Sequence, residues 1–312
     1  MRGVGVVEFG GPDALEVVDL PEVHAGAGEV RLRVHAATVN PTDTYVRNGA
    51  RADMLAKDPP PYIPGMDAAG VIDEIGAGTQ TTLAVGDSVM AMVIPTGSHG
   101  AYRESLVLSA DSVSAAPVGT SHAEAATLPM NGLTARLSLD QLALESGQVI
   151  AVTGAAGCYG GYVVQLAKAD GLEVIADASP DDEQLVRELG ADVVVPRGDD
   201  IAAEIRAVRA DGVDGLADGA VQNELAVPAV RDGGAYASVR GWEGTGERGI
   251  TFHTTWVREL DHRADLLDGL RQQAEEGLIS LRLAATFTPE EAAEAHRRLE
   301  AGGTRGRFVL TF

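Results

Sequence analysis

Val152-Thr153-Gly154-Ala155-Ala156-Gly157-Cys158-Tyr159-Gly160-Gly161 is the stretch whose reading decides the fold. An apolar run at 149–153 leads into it and a second, at 162–169, leads out of it. Positions 155, 157 and 160 carry the spacing of a G-x-G-x-x-G turn, with alanine at the first. Between a strand and a helix, Gly157 lets the backbone approach a pyrophosphate, and Gly160 lets the helix pack on the strand. The helix start then offers backbone N–H groups and the positive end of its dipole to phosphate. Taken alone, the spacing also fits a tight turn that binds nothing. Its strand–turn–helix setting favours a dinucleotide, with Ala155, Ala156, Gly157, Cys158, Tyr159 and Gly160 as the binding residues.

Outward from the turn, strands alternate with helices. Strands are expected at 149–153, 173–176, 193–195, 215–217 and 235–239, with helices at 162–169, 181–189, 201–209 and near 223–230. Repeated βα units imply an α/β fold with a doubly wound parallel sheet that binds ligand at the carboxyl ends of its strands. Asp177 lies near the end of the second strand, where an acid accepts hydrogen bonds from the adenosine ribose; an ordinary strand-end acid is the equal alternative. Residues 1–115 read differently. Short apolar or alternating runs at 30–34, 70–75 and 88–93, punctuated by Gly65, Gly70, Gly76, Gly78 and Gly86, suggest a compact β-barrel. Ser121 followed by Glu124 has the spacing of a capping box opening a helix at 123–126. After residue 255 helices are expected at 263–277 and 288–301, and a last strand at 307–312.

Composition narrows the function classes. The chain has 312 residues, 45% of them hydrophobic, enough for one large core or two cooperating domains. Its net charge of −22 argues against nucleic acid and against anionic membrane as partners. Cys158 is the sole cysteine, so no internal disulfide and no cysteine-based zinc cluster can form. No signal-peptide core and no run of about 18 apolar residues is present, so a soluble cytoplasmic protein is expected.

At the glycine turn the sequence resembles the zinc-independent quinone oxidoreductases, the zeta-crystallin-like branch of the medium-chain dehydrogenase/reductase superfamily. The likeness runs along essentially the whole chain. Phe9-Gly10-Gly11-Pro12 and Gly28-Glu29-Val30 are similar to the family's opening. The stretch from Ala36 to Gly49, with Asn40-Pro41-Thr42-Asp43-Thr44-Tyr45, is similar to its active-site segment. Further matches are Ile63-Pro64-Gly65-Met66-Asp67, Val85-Gly86-Asp87, Asn131-Gly132-Leu133-Thr134-Ala135 and Leu189-Gly190-Ala191-Asp192. The resemblance implies a GroES-like β-barrel catalytic domain over 1–118, completed by 256–312, a Rossmann domain over 119–255, and a homodimer. Gly65-Met66-Asp67 stands where the zinc-dependent branch has Gly-His-Glu, and Asn40 stands near its first zinc cysteine. None of the seven histidines has metal-ligand spacing, so no metal site is expected.

For such a family the reaction is hydride transfer from a nicotinamide coenzyme to a quinone or an α,β-unsaturated carbonyl. The product oxyanion or enolate then needs hydrogen-bond donors in place of zinc, and a proton from a side chain or water. The resemblance points to Tyr45 and Asn40 as donors and to Thr134 as the residue that fixes the nicotinamide ring. A packed aromatic is the alternative for Tyr45, and Asp43 either orients Tyr45 or Arg47 or caps a helix. Arg240, after Val239, stands where the family usually has glycine. It either holds a pyrophosphate or substrate anion or points to solvent. An enoyl or alkenal reductase and a non-catalytic, crystallin-like nucleotide-binding protein are the other functional readings. Family weight favours NADPH, with NADH possible, because the stretch after the second strand is acidic. It holds Asp177, Asp181, Asp182 and Glu183 against the single hydroxyl of Ser179, with Arg187 as the nearest compensating cation.

Overall fold

Val30, Leu32 and Val34 are buried while Arg31, Arg33 and His35 are not, so the segment Glu29–Val39 presents one face to a core before every residue of 36–39 is enclosed. This strand is β3 of a computed structural model that describes residues 1–55 and 57–312. The chain divides into two units: 1–130, 260–276 and 281–312 form the first, and 131–259 with 277–280 the second.

Before β3 come β1 (Arg2–Gly5) and β2 (Glu16–Asp19), an antiparallel pair. After it come α1 (Pro41–Asn48), α2 (Ala52–Leu55), β4 (Asp67–Ile75), β5 (Ser88–Met92), β6 (Ser105–Ser109), β7 (Val113–Ala115) and α3 (His122–Ala125). Ser121 and Glu124 exchange the two bonds of a capping box at the start of α3.

Next in the chain are α4 (Pro129–Leu142), β8 (Val149–Thr153), α5 (Cys158–Ala169), β9 (Glu173–Ala178), α6 (Glu183–Glu188), β10 (Val193–Pro196), α7 (Ile201–Val208), β11 (Val213–Asp218), β12 (Val230–Ser238) and β13 (Thr251–Thr254). The six strands β8–β13 lie in the order β10-β9-β8-β11-β12-β13, every neighbouring pair parallel. The order reverses between β8 and β11, which is the switch point of a doubly wound sheet.

The chain then returns to the first unit with α8 (Ala264–Glu275), β14 (Leu283–Phe287), α9 (Ala292–Ala301) and β15 (Arg307–Thr311). Its larger sheet runs β14-β15-β3-β4-β5-β7, with β6 on β3. Val30, Leu32, Ile72, Val89, Leu106, Phe308 and Leu310 meet in its core. No helix of the described residues is long and apolar enough to cross a membrane.

Two expectations need correction, and two strands were not foreseen. α5 begins at Cys158, immediately after the turn, because Gly157 takes the extended N-cap conformation (φ −70°, ψ 174°). The helix expected near 223–230 is two short 3₁₀ turns, Asn223–Leu225 and Val227–Ala229. Asn223 holds φ +51°, outside the right-handed helical region, and Pro228 has no N–H to continue a ladder, so the segment does not wind as one α-helix. β13 and β14 are short, with only Phe287 fully buried, and their weak apolar patterning left them unread.

The packing of α5 on β8 is unforgiving. A Cβ on Gly160 would stand 2.3 Å from the carbonyl oxygen of Gly154 and 2.8 Å from the Cα of Ala155. Gly160→Ala is therefore expected to lower stability by about 1–3 kcal/mol, read as a lower urea midpoint. An unchanged midpoint would show that the helix can draw back at no cost.

Candidate active site

In the second unit the glycine turn joins the carboxyl end of β8 to the start of α5. Gly154 holds φ +68°, and a Cβ there would come within 2.9 Å of the Gly219 backbone, so glycine is required. Gly157, half-buried, would meet only the Gly154 carbonyl, at 3.1 Å, so its outer face is open. Gly157 is also the N-cap of α5 and brings no side chain to the first helical N–H groups. Ala155, Ala156, Cys158 and Tyr159 are buried around it.

Asp177 does not stand at the outer edge of β9. It is 2% exposed and points under the turn, where Oδ1 accepts the Ala155 N–H at 3.0 Å and Oδ2 has no hydrogen-bond partner among the described residues. Burial raises its pKa against the pull of the Ala155 and Gly154 N–H groups and of Arg197. The last residue of β9, Ala178, carries no acid.

The two groups nearest in sequence that could face a phosphate there are engaged locally. The Ser179 hydroxyl donates to Asp182 at 2.5 Å, and Arg187 pairs with Glu183 at 2.7 Å. Arg197 was not foreseen. It follows β10, whose Pro196 pairs with Ala178, and its N–H donates to the Ala178 carbonyl at 2.9 Å. It is exposed. Parallel pairing of β9 and β10 delivers it to the edge where Ser179 lies, a neighbour that strand order could have supplied. At the end of β12, Val239 is half-buried, and Arg240 is exposed with φ +68°, a conformation that favours glycine. Thr134, on α4, is buried, and its carbonyl accepts from the Ser138 hydroxyl at 3.0 Å.

In the first unit Asn40 and Tyr45 sit at the start and in the middle of α1. Asn40 is fully buried. Its Nδ2 donates to Asp67 Oδ2 at 2.6 Å, its Oδ1 accepts from Arg307 Nε at 3.0 Å, and its N–H donates to Asp43 Oδ2 at 2.7 Å. Asp43 thus caps the helix, and it also accepts from Gly65 N–H and from the Tyr102 hydroxyl. Asp67 Oδ1 accepts the Met130 N–H at 2.6 Å.

Around Tyr45 the hydroxyls are spent. Thr38 donates to Ala126 O, Thr42 to the Met66 sulfur and Thr44 to Pro41 O. Tyr45 itself is half-buried beneath the Arg51 guanidinium, 6.0 Å from the ring centroid. Among the described residues its hydroxyl has no hydrogen-bond partner.

Burial lifts Asp43 to about 6 and Asp67 to about 7, against their N–H donors and Arg307. The native state therefore holds protons that the unfolded chain has already released. The stability this confers is complete below about pH 4, the unfolded carboxylate range, and is lost as pH rises through about 6 to 7. Asp67→Asn removes one of these protons and adds a pH-independent cost, because one amide N–H then faces a donor. The gap between the urea midpoints of variant and parent should narrow as pH rises from about 4 to about 7, no faster than about 1.4 kcal/mol per pH unit. A gap of constant size would mean that Asp67 titrates normally.

Residues 26–135 match the alcohol dehydrogenase GroES-like domain family, and residues 189–310 match the zinc-binding dehydrogenase family. The chain is similar to a mouse (Mus musculus) mitochondrial protein named NAD(P)H oxidoreductase RTN4IP1, with 30% identity over 93% of this chain and 83% of that one. It is similar to the quinone oxidoreductase of Rattus norvegicus, with 29% identity over 99% of this chain and 97% of that one. Among solved structures it superposes on a NAD-dependent alcohol dehydrogenase with a TM-score of 0.89 and 30% identity, each chain covered in full.

Proposed function

The chain belongs to the medium-chain dehydrogenase/reductase superfamily, and we propose that within it the protein is a zinc-independent reductase that uses NADPH to reduce a quinone or an α,β-unsaturated carbonyl. The observation that carries this reading is the uncapped start of α5 behind the open face of Gly157, a cradle for pyrophosphate at the switch point. When bound there, the coenzyme supplies a hydride. The quinone and NAD(P)H oxidoreductase names of the relatives support the substrate class.

The rest is assigned to this chain's own side chains. Gly157, Cys158, Tyr159 and Gly160 present the helix start to phosphate, and Asp177 holds the turn in shape through the Ala155 N–H. Thr134 orients the nicotinamide end. Tyr45 brings a hydroxyl not committed elsewhere, able to donate to a developing oxyanion and to pass on its proton. Asn40 positions α1, since its amide is occupied by Asp67 and Arg307.

Zinc independence rests on the donor set. At the positions equivalent to the metal ligands of zinc relatives, Asn40 Oδ1 accepts from a guanidinium and the Met66 sulfur accepts a hydroxyl. Neither offers an unoccupied anionic ligand.

The decisive experiment is a screen of NADPH oxidation against quinones, enones and enoyl thioesters, with and without chelator. Activity that survives chelation on a quinone or enone is expected. Stoichiometric zinc whose removal abolishes turnover would overturn the reading. In that assay Tyr45→Phe should lower kcat by about 10²-fold, equivalent to about 2.7 kcal/mol, with coenzyme affinity unchanged. Parent-like kinetics would remove Tyr45 from the reaction.

Coenzyme choice falls to Arg197. It is a cation beside Ser179 with no acid on Ala178, and a 2′-phosphate suits a guanidinium. Arg197→Ala should reduce the ratio of kcat/KM for NADPH over NADH about tenfold, about 1.4 kcal/mol. An unchanged ratio would place the 2′-phosphate elsewhere.

A further inference from the structure

Tyr159 is the second residue of α5. Its ring does not point away from the sheet. A Cβ on Gly219 would come within 2.8 Å of Tyr159 Cδ1 and 3.1 Å of Cε1, so the ring packs directly against that glycine. Gly219 directly follows the end of β11, and the turn that carries Tyr159 follows the end of β8. The ring thus spans the ends of the two strands between which the sheet order reverses, where a dinucleotide crosses from one half of the sheet to the other.

The far end of the side chain is tied down. The Tyr159 hydroxyl lies 2.8 Å from Ser138 Oγ. Ser138 Oγ is also 3.0 Å from the Thr134 carbonyl, and either hydroxyl can be the donor in its pair with Tyr159. Ser138 Oγ also lies 3.1 Å from Thr255 Oγ1, and Thr255 donates to Gln141 Oε1 at 2.8 Å. Burial raises the phenol pKa, which keeps its proton in place for this bond. The hydroxyl is therefore directed to α4 and not to a ligand. It links the phosphate-binding turn to the turn of α4 that bears Thr134.

We propose that Tyr159 is a positioning residue for the nicotinamide end of the coenzyme: its ring forms the floor of the switch-point crevice and sets the height of the nicotinamide, and its bond to Ser138 holds that floor. This rests on the coenzyme reading above. A valine at 159 leaves a ring-sized space beneath the nicotinamide, whereas the pyrophosphate, held by backbone N–H groups, keeps its place.

The test compares parent, Tyr159→Val and Tyr159→Phe by three measurements: NADPH dissociation constant, fluorescence emission of the bound reduced nicotinamide, and kcat on a quinone or enone. Tyr159→Val should bind NADPH within about threefold of the parent, shift the emission of the bound nicotinamide, and lower kcat by about tenfold or more. Tyr159→Phe, which keeps the ring, should retain the parent emission and lose less than about threefold in kcat. If Tyr159→Val does not fold, Tyr159→Leu takes its place with the same expected pattern. Parent-like emission and kcat in the valine or leucine variant would overturn the proposal. So would a loss confined to NADPH affinity, which would place the Tyr159 side chain, and not its backbone alone, in the phosphate site. A phenylalanine variant as impaired as the valine one would show that the ring does not set the height. A parent that binds NADPH but reduces no compound in the panel would strike the substrate reading alone, and emission and affinity would still decide the role of Tyr159.

Discussion

The second unit depends on how closely α5 approaches β8. The Gly160 position leaves 2.3 Å between a would-be Cβ and the Gly154 carbonyl, and Gly154 is itself pressed against the Gly219 backbone. Two glycines thus let the strand, the helix and the loop after β11 crowd together, and this crowding aims the helix start at the switch point. Two buried carboxylates hold the arrangement from below. Asp177 takes the Ala155 N–H. Asp218 accepts from the Thr153 hydroxyl, the Tyr236 hydroxyl and the N–H groups of Gln222 and Asn223. Four donors on one carboxylate satisfy its oxygens without a cation, which is how Asp218 sits fully buried at the end of β11.

The first unit solves the same problem with a directed chain. Arg47 can only donate, so His296 Nδ1, 3.3 Å from it, must accept. The proton then resides on Nε2 and is donated to Tyr102, whose hydroxyl in turn donates to Asp43. A positive end on Arg47 and a negative end on Asp43 are joined through two neutral groups. Burial and the neighbouring guanidinium hold His296 far below its usual range, at about 3. The chain leaves the interior at Glu300, which pairs with Arg47 at 2.6 Å. α1, the Tyr102 strand-edge segment and α9 are thereby fixed to one another around the helix that carries Tyr45. A break at any link leaves a buried polar group unsatisfied, at a cost of about 1–3 kcal/mol.

What the sequence disclosed and what it hid follow one physical division. The glycine turn and its βα context were legible because spacing, strand and helix are all local, and the strand order that emerged is the one such units form. The capping box at Ser121 and Glu124 was legible for the same reason. Asp177 was read only as far as its strand. Whether its carboxylate turned outward to a ribose or inward to Ala155 depends on which face of β9 is covered, and that is set by β8 and its turn. The 3₁₀ turns at 223–229 were hidden because Asn223 takes a left-handed conformation while bonded to Asp218 and Tyr236, both outside the segment. Arg197 was invisible near Ser179 because the two are brought together by the pairing of β9 and β10. Arg240 stood out as a departure from a family pattern, whereas where the Tyr159 ring lies depends on the placement of Gly219 and Ser138.

The accounting of donors in the first unit bears on the chemistry. A reductase without a Lewis acid needs a hydrogen-bond donor that is still available when charge develops on the substrate oxygen, and a donor already satisfied by the protein contributes little extra in the transition state. Along the segment from Thr38 to Tyr45, Thr38, Thr42 and Thr44 each donate within the fold. Asn40 donates to Asp67 while accepting from Arg307. Asp43 is an acceptor for three donors. These bonds make the segment rigid, and they exhaust it chemically. Only the Tyr45 hydroxyl is left over, on a ring held under Arg51. The guanidinium above that ring favours negative charge nearby. The same commitments that make Asn40 a poor donor therefore leave the Tyr45 hydroxyl as the group of this segment to which the proposed reading assigns that role.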